Sequence, residues 1–133
     1  IPPGNAAYEA KTWWKTPKDV TVLIVTPHMH LLGKSASLTA SLPGGKDVRL
    51  LEIADWDFKW QDSYVLKEPL KLPAGSRVTH VAVYDNSERN PRNPHRPPVP
   101  VRWGEKTTDE MCLAYVGYVL DKEDLTKPKK KKR

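Results

Sequence analysis

Turn chemistry recurs at short intervals along this chain and restricts the fold more than any other feature. "PGGK" (43–46) separates "SASLTASL" (35–42) from "DVRLLEI" (47–53), and "LPAG" (72–75) leads into "SRVTHVAVYD" (76–85). Glycine supplies positive φ and proline presets φ, so such clusters end strands and reverse the chain. The segment "NSERNPRNPHRPPVP" (86–100) is too rich in Asn, Arg and Pro to pair in a ladder or wind as a helix. No amphipathic helix of useful length fits between these breaks. The expectation is an all-β chain, an antiparallel β-sandwich of jelly-roll type.

The runs between the turns read as strands. Residues 18–26 ("KDVTVLIVT") carry apolar side chains on both faces, as a strand inside a packed sandwich does. Strand alternation over 55–66 ("DWDFKWQDSYVL") sets Trp56, Phe58 and Trp60 on one face and Asp55, Asp57 and Lys59 on the other. That stripe is read as core filling, with a substrate platform as the alternative. Residues 109–120 ("DEMCLAYVGYVL") form the final strand. With 133 residues, 38% of them hydrophobic, the chain can bury one core. The domain is placed at 1–126, without internal repeats, and residues 127–133 are set apart as a basic, disordered tail. The proline-led opening, "IPPGNAAYEA", reads as an extended entry and suggests a segment of a longer protein. No stretch approaches the roughly 18 apolar residues of a transmembrane helix.

Charge argues against a nucleic-acid partner. The net charge is +6, but the terminal "KPKKKKR" holds six of the 22 basic residues, leaving 16 to match the 16 acidic ones. A nucleic-acid binder displays its basic face on the folded body. Cys112 is the single cysteine, so there is no internal disulfide framework.

The stretch "TVLIVTPHMHLLGK" (21–34) ends a strand on two histidines one residue apart. Side chains two apart on a strand share a face, so His28 and His30 project together, in line with Val20, Val22 and Ile24, while Met29 points away. Pro27 donates no ladder hydrogen bond, which sets the pair at a strand end. Two imidazoles are too few to close a metal site. The third donor is sought among His80, His95, Asp109, Glu110 and Met111. His80 is read as a packed core histidine, and Met111 by periodicity alone as a core residue. His, His and Met specify copper, because a thioether is soft; two histidines and a carboxylate suggest zinc or non-haem iron. Periodicity leaves both open. Tyr84, Asn86 and Ser87 are placed at the mouth of the site.

"TPHMHLLGK", "YDNS…NP…NP" and "VRWGEKTTDEMCLAYVGY" together resemble the C-terminal domain of the copper type II, ascorbate-dependent monooxygenases, the family of peptidylglycine α-hydroxylating monooxygenase and dopamine β-hydroxylase, in its bacterial-type form. The resemblance runs from about Pro2 to Leu120. It implies that His28, His30 and Met111 hold one oxygen-binding copper and act as the catalytic centre. It also implies hydroxylation of a C–H bond in a small-molecule or peptide substrate, driven by ascorbate or another electron donor. The implied location is extracytoplasmic, periplasmic or secreted. A copper-binding or electron-transfer module without oxygenase activity is the alternative. Two departures stand out. The family's second, N-terminal copper domain has no counterpart here, and one copper supplies one of the two electrons that C–H hydroxylation consumes. A further domain or electron-donor partner is therefore expected. The cysteine beside the methionine is disulfide-bonded in animal members, whereas Cys112 has no partner cysteine and is read as a small buried residue.

Overall fold

The structure, a computed structural model, describes residues 1–123. Seven strands follow in chain order: β1 (Tyr8–Lys15), β2 (Val20–His28), β3 (Gly33–Ser41), β4 (Asp47–Ile53), β5 (Tyr64–Leu72), β6 (Arg77–Tyr84) and β7 (Leu113–Leu120). No helix occurs among the described residues, so none there is long and apolar enough to cross a membrane. The strands form two antiparallel sheets, ordered β1-β6-β3-β4 and β5-β2-β7. They face each other as a β-sandwich, compatible with jelly-roll winding.

The inward faces make two core clusters. Val20, Val22, Val25, Leu38, Ala40, Leu72 and Val78 fill one. Met29, Leu32, Ala36, Trp56, Ala82, Tyr84 and Val101 fill the other. Along one edge of the sandwich β1 lies over β7, with the Trp14 and Tyr118 rings stacked at 5.0 Å. The turns fall where glycine permits them: Gly44, Gly45 and Gly75 all have φ near +90°.

A bulge in β2 decides which way the histidines face. The register against both β5 and β7 shifts between Val22 and Ile24. The extra residue, Leu23, is exposed; beyond it Val25 and Pro27 are buried, while Ile24, Thr26 and His28 turn to the other face. His28 is thus not in line with Val20 and Val22, as simple alternation predicted. It stands with Ile24 on the outer face of the three-stranded sheet. A bulge reverses the alternation downstream because the side-chain period is two.

Other expectations also need correction. Residues 55–63 are not strand; β5 starts at Tyr64. Trp56 is 1% exposed in the core, whereas Trp60 is 74% exposed, so the aromatic stripe does not exist as one face. The acidic residues between the aromatics make turns: Asp57 Oδ1 accepts from the Lys59 amide at 2.8 Å, and the Trp60 amide donates to the Asp57 carbonyl at 3.0 Å. β1 was not anticipated; it pairs with β6 from Tyr8↔Tyr84 to Lys15↔Arg77. The final strand begins at Leu113, and Asp109–Cys112 precede it as irregular chain. The basic tail, residues 127–133, lies outside the described residues.

Gly33 starts β3 directly beneath the buried Trp56 ring: a Cβ placed there would lie 2.5 Å from Trp56 Cδ1. Gly33→Ala is therefore expected to overpack this core by about 1–3 kcal/mol. An unchanged midpoint in urea unfolding would show that the ring gives way freely.

Candidate metal centre

His28 closes β2 and His30 lies two residues beyond it, buried to 5% exposure. Their Nε2 atoms stand 3.2 Å apart with the rings at 83°. The other nitrogen of each ring is engaged. His30 Nδ1 donates to the Asp109 carbonyl at 3.0 Å, since a carbonyl only accepts. His28 Nδ1 lies 2.7 Å from Gln61 Oε1, and the Gln61 amide is oriented by donating from Nε2 to the Phe58 carbonyl at 2.9 Å. His28 Nδ1 is therefore the donor as well. With both Nδ1 atoms protonated, two Nε2 lone pairs point at each other. That arrangement repels unless a proton or a metal ion lies between them. At a metal–imidazole distance of about 2.0 Å, two nitrogens 3.2 Å apart fit one ion.

The segment before β7 meets the histidines through Glu110. Its side chain is 4% exposed. Oε2 accepts from the His30 amide at 2.8 Å and the Met111 amide at 3.3 Å, and Oε1 accepts from the Leu32 amide at 2.6 Å. Burial pushes this carboxyl above its usual range, opposed by those amide hydrogen bonds and by His30. Glu110 itself is seated by its amide donating to the Arg102 carbonyl at 3.0 Å and by the Trp103↔Glu110 bridge. The β2–β7 register runs Thr26↔Tyr115, Pro27↔Ala114, His28↔Leu113. The pairing ends there, and Met111 lies two residues before Leu113 in irregular chain. Pairing of β2 with β5 stops at Val25↔Tyr64, so Pro27 needs no donor on that side. In its place the 54–63 loop closes over the histidines. Phe58 meets the His30 ring edge-on at 5.9 Å, and Ser63 Oγ is 2.7 Å from Thr26 Oγ1.

The remaining candidates go elsewhere. Among the described residues, no three or more His, Cys, Asp or Glu side chains group as metal donors. Asp109 contributes its carbonyl to His30, and Glu110 is occupied by backbone amides. His95 sits in the proline-rich loop, where its amide donates to Asn93 Oδ1 at 3.0 Å. Asn86 and Ser87 do not line the histidine pair. Asn86 Nδ2 binds the carbonyls of Ile1, Pro2 and Val99 at 2.9–3.2 Å, pinning the entry of the chain to the loop. Tyr84 faces the core, and its hydroxyl donates to the Met111 carbonyl at 2.6 Å. Met29 points away from His28 and is fully buried in the second cluster.

His80 also faces the core, from the middle of β6, at 2% exposure. Its Nδ1 lies 3.7 Å from Cys112 Sγ, and its Nε2 has no partner. Burial pushes its imidazole down to about 4 and the Cys112 thiol up. Gln61 was missed as a site residue, and Phe58 was read only as part of the aromatic stripe. Gln61 lies in a loop with no periodicity to place it, and no sequence signal ties it to a histidine 33 positions away.

With this geometry in place, the comparisons with known proteins acquire a structural meaning. The family described as "Copper type II ascorbate-dependent monooxygenase, C-terminal domain" matches residues 1–131. The chain belongs to that family. It is also similar to the human protein named DBH-like monooxygenase protein 1, with 30% identity over 104 residues, 77% of this chain and 15% of the relative. The chain thus spans about 15% of the length of that curated relative.

His80 yields a prediction with a defined sign. An unfolded histidine titrates at about 6.5, so as pH falls the unfolded chain binds this proton before the folded one does. Stability from the neutral ring is present above 6.5 and lost as pH falls towards 4, by up to about 3 kcal/mol. In His80→Leu, the difference between urea unfolding at about pH 7 and about pH 4.5 is expected to shrink. An identical pH dependence would mean that the ring is solvated.

Proposed function

We propose that this chain is the copper-holding domain of a larger monooxygenase, in which His28, His30 and Met111 hold one copper ion that takes part in hydroxylating a C–H bond. The observation carrying this reading is the pair of Nε2 lone pairs converging at 3.2 Å, each ring fixed by an acceptor on its Nδ1. Metal-ligating histidines are commonly oriented in this way. Support for Met111 comes from the shared Glu110 oxygen, which ties its backbone to that of His30, and from its place two residues before Leu113, the partner of His28. A thioether beside two imidazoles favours copper over zinc.

Copper held there would supply one-electron redox chemistry and, with three protein ligands, an open coordination position. The chain's own residues do the positioning. Gln61 and the Asp109 carbonyl keep Nε2 free on both rings, Phe58 walls one side of His30, and Glu110 locks the two ligand-bearing segments together. A small-molecule or peptide substrate would approach over the outer face of β5-β2-β7, where Tyr115 and Val65 are exposed. The second electron, from ascorbate or another donor, comes through a further domain or partner. The reading carries an extracytoplasmic location with it.

Copper stoichiometry and X-ray absorption on the reduced protein test the site: two nitrogen neighbours and one sulfur are expected. His28→Ala or His30→Ala should abolish this copper and any ascorbate-driven oxygen consumption. Tight copper binding without turnover, even with a reductant and the rest of the protein present, would leave an electron-transfer module instead. Gln61→Leu is expected to weaken copper affinity by about 10–100-fold, read in a competitive chelator titration. An unaltered affinity would remove Gln61 from the site.

A further inference from the structure

The inner face of β6 carries Val78, His80, Ala82 and Tyr84, all of them buried. Cys112 packs against the cluster that holds Ala82 and Tyr84, and its Sγ lies 3.7 Å from His80 Nδ1. The other ring nitrogen, Nε2, therefore turns towards the Val78 end of the strand. There a recess of about 130 Å³ opens, bordered by His80 with Thr12, Trp14, Val78, Leu113 and Val116; Cys112 takes no part in it. Nε2 is buried and has no partner, in a residue only 2% exposed. Buried polar groups are nearly always hydrogen-bonded, so an orphaned nitrogen beside a cavity marks a place for a bound molecule.

We propose that this recess binds a small neutral alcohol, with its hydroxyl on His80 Nε2 and its hydrocarbon body against Trp14, Val78 and Val116. The site stands apart from the candidate metal centre and does not rest on the copper reading. Size sets the first limit. A cavity of about 150 Å³ accepts a benzene ring, so one of about 130 Å³ suits a body of about six non-hydrogen atoms. The lining sets the second. Thr12 stands opposite His80 in the β1–β6 pairing and brings a hydroxyl. The other walls are aliphatic carbon and indole, which would leave an ammonium or a carboxylate without hydration.

The hydrogen-bonding pattern narrows the class to alcohols. Burial keeps the imidazole neutral, so Nε2 either donates or accepts according to its tautomer. A hydroxyl does both, and it satisfies Nε2 in either case with a position left for Thr12. Water can also reach Nε2. Filling the recess would take about four waters at about 30 Å³ each, most of them against apolar walls. An alcohol replaces them with one hydrogen bond and buried hydrocarbon. Entry lies between the sheets: β1 and β7 each end a sheet, and the recess sits between them beside the stacked Trp14 and Tyr118 rings.

The probe is cyclopentanol, with benzene, a ring of equal heavy-atom count and no hydroxyl, as its control. In the wild-type chain, isotopically labelled in its histidine ring nitrogens, cyclopentanol should shift the His80 Nε2 resonance and saturate within about 10 mM. Intermolecular NOEs should run from its ring protons to the methyl groups of Val78, Leu113 and Val116. Benzene should bind at least about tenfold more weakly, because it leaves Nε2 unpaired. His80→Leu should lose that preference and bind the two within about twofold of each other. The NOEs need no variant, so the site is tested even where His80→Leu does not fold. Shifts that fail to saturate, NOEs outside the recess, benzene binding as tightly as cyclopentanol in the wild type, or a preference that survives in folded His80→Leu would each overturn the proposal and leave a water-filled notch.

Discussion

The three-way hydrogen bonding of Glu110 is the interaction on which the arrangement of the histidines depends. One carboxylate gathers the amides of His30, Leu32 and Met111 across roughly 80 positions of sequence. Removing a carboxylate from water costs several kcal/mol, and burial accordingly pushes Glu110 up in pKa. Those amides lie where the strand ladder has run out, however, and each would be costly to bury unpaired. Carboxylate and amides thus solve each other's desolvation. The chain after β2 and the chain before β7 become one unit.

The histidine pair extends the same logic to side chains. An imidazole has two nitrogens, and a scaffold chooses which one stays bare by placing an acceptor on the other. Here the two acceptors have unlike origins: a loop glutamine for His28 and a main-chain carbonyl for His30. The carbonyl belongs to Asp109, next to the residue that clamps the backbone. Orientation of the ring and placement of the chain are therefore set by the same short segment. Family membership and this local construction agree, although they rest on different information.

Much of the fold was legible because it follows from local chemistry. Gly44, Gly45 and Gly75 mark turns that only glycine makes easily, and residues 35–41 alternate between half-buried and buried as a strand must. The 55–63 segment misled because it alternates too. Alternation reports which side chains share a face only if a neighbouring strand pairs the backbone, and here the aspartates bind it instead. His-x-His gave the pair, but not its neighbours. Gln61 reaches His28 through the tertiary course of a loop, which no spacing encodes. The contact of His80 with Cys112 was equally hidden, because it joins β6 to irregular chain 32 residues further on.

The bulge at Leu23 has a consequence for how this domain can change over time. Had β2 kept its alternation, the imidazoles would share a surface with Val20 and Val22, and any adjustment of the chemistry would disturb packing. One inserted residue separates the two faces: inside, the strand serves cohesion; outside, it carries His28. Loops and substituents around the rings can then be exchanged without retuning the interior. Such a division suits a module that is joined to different companions.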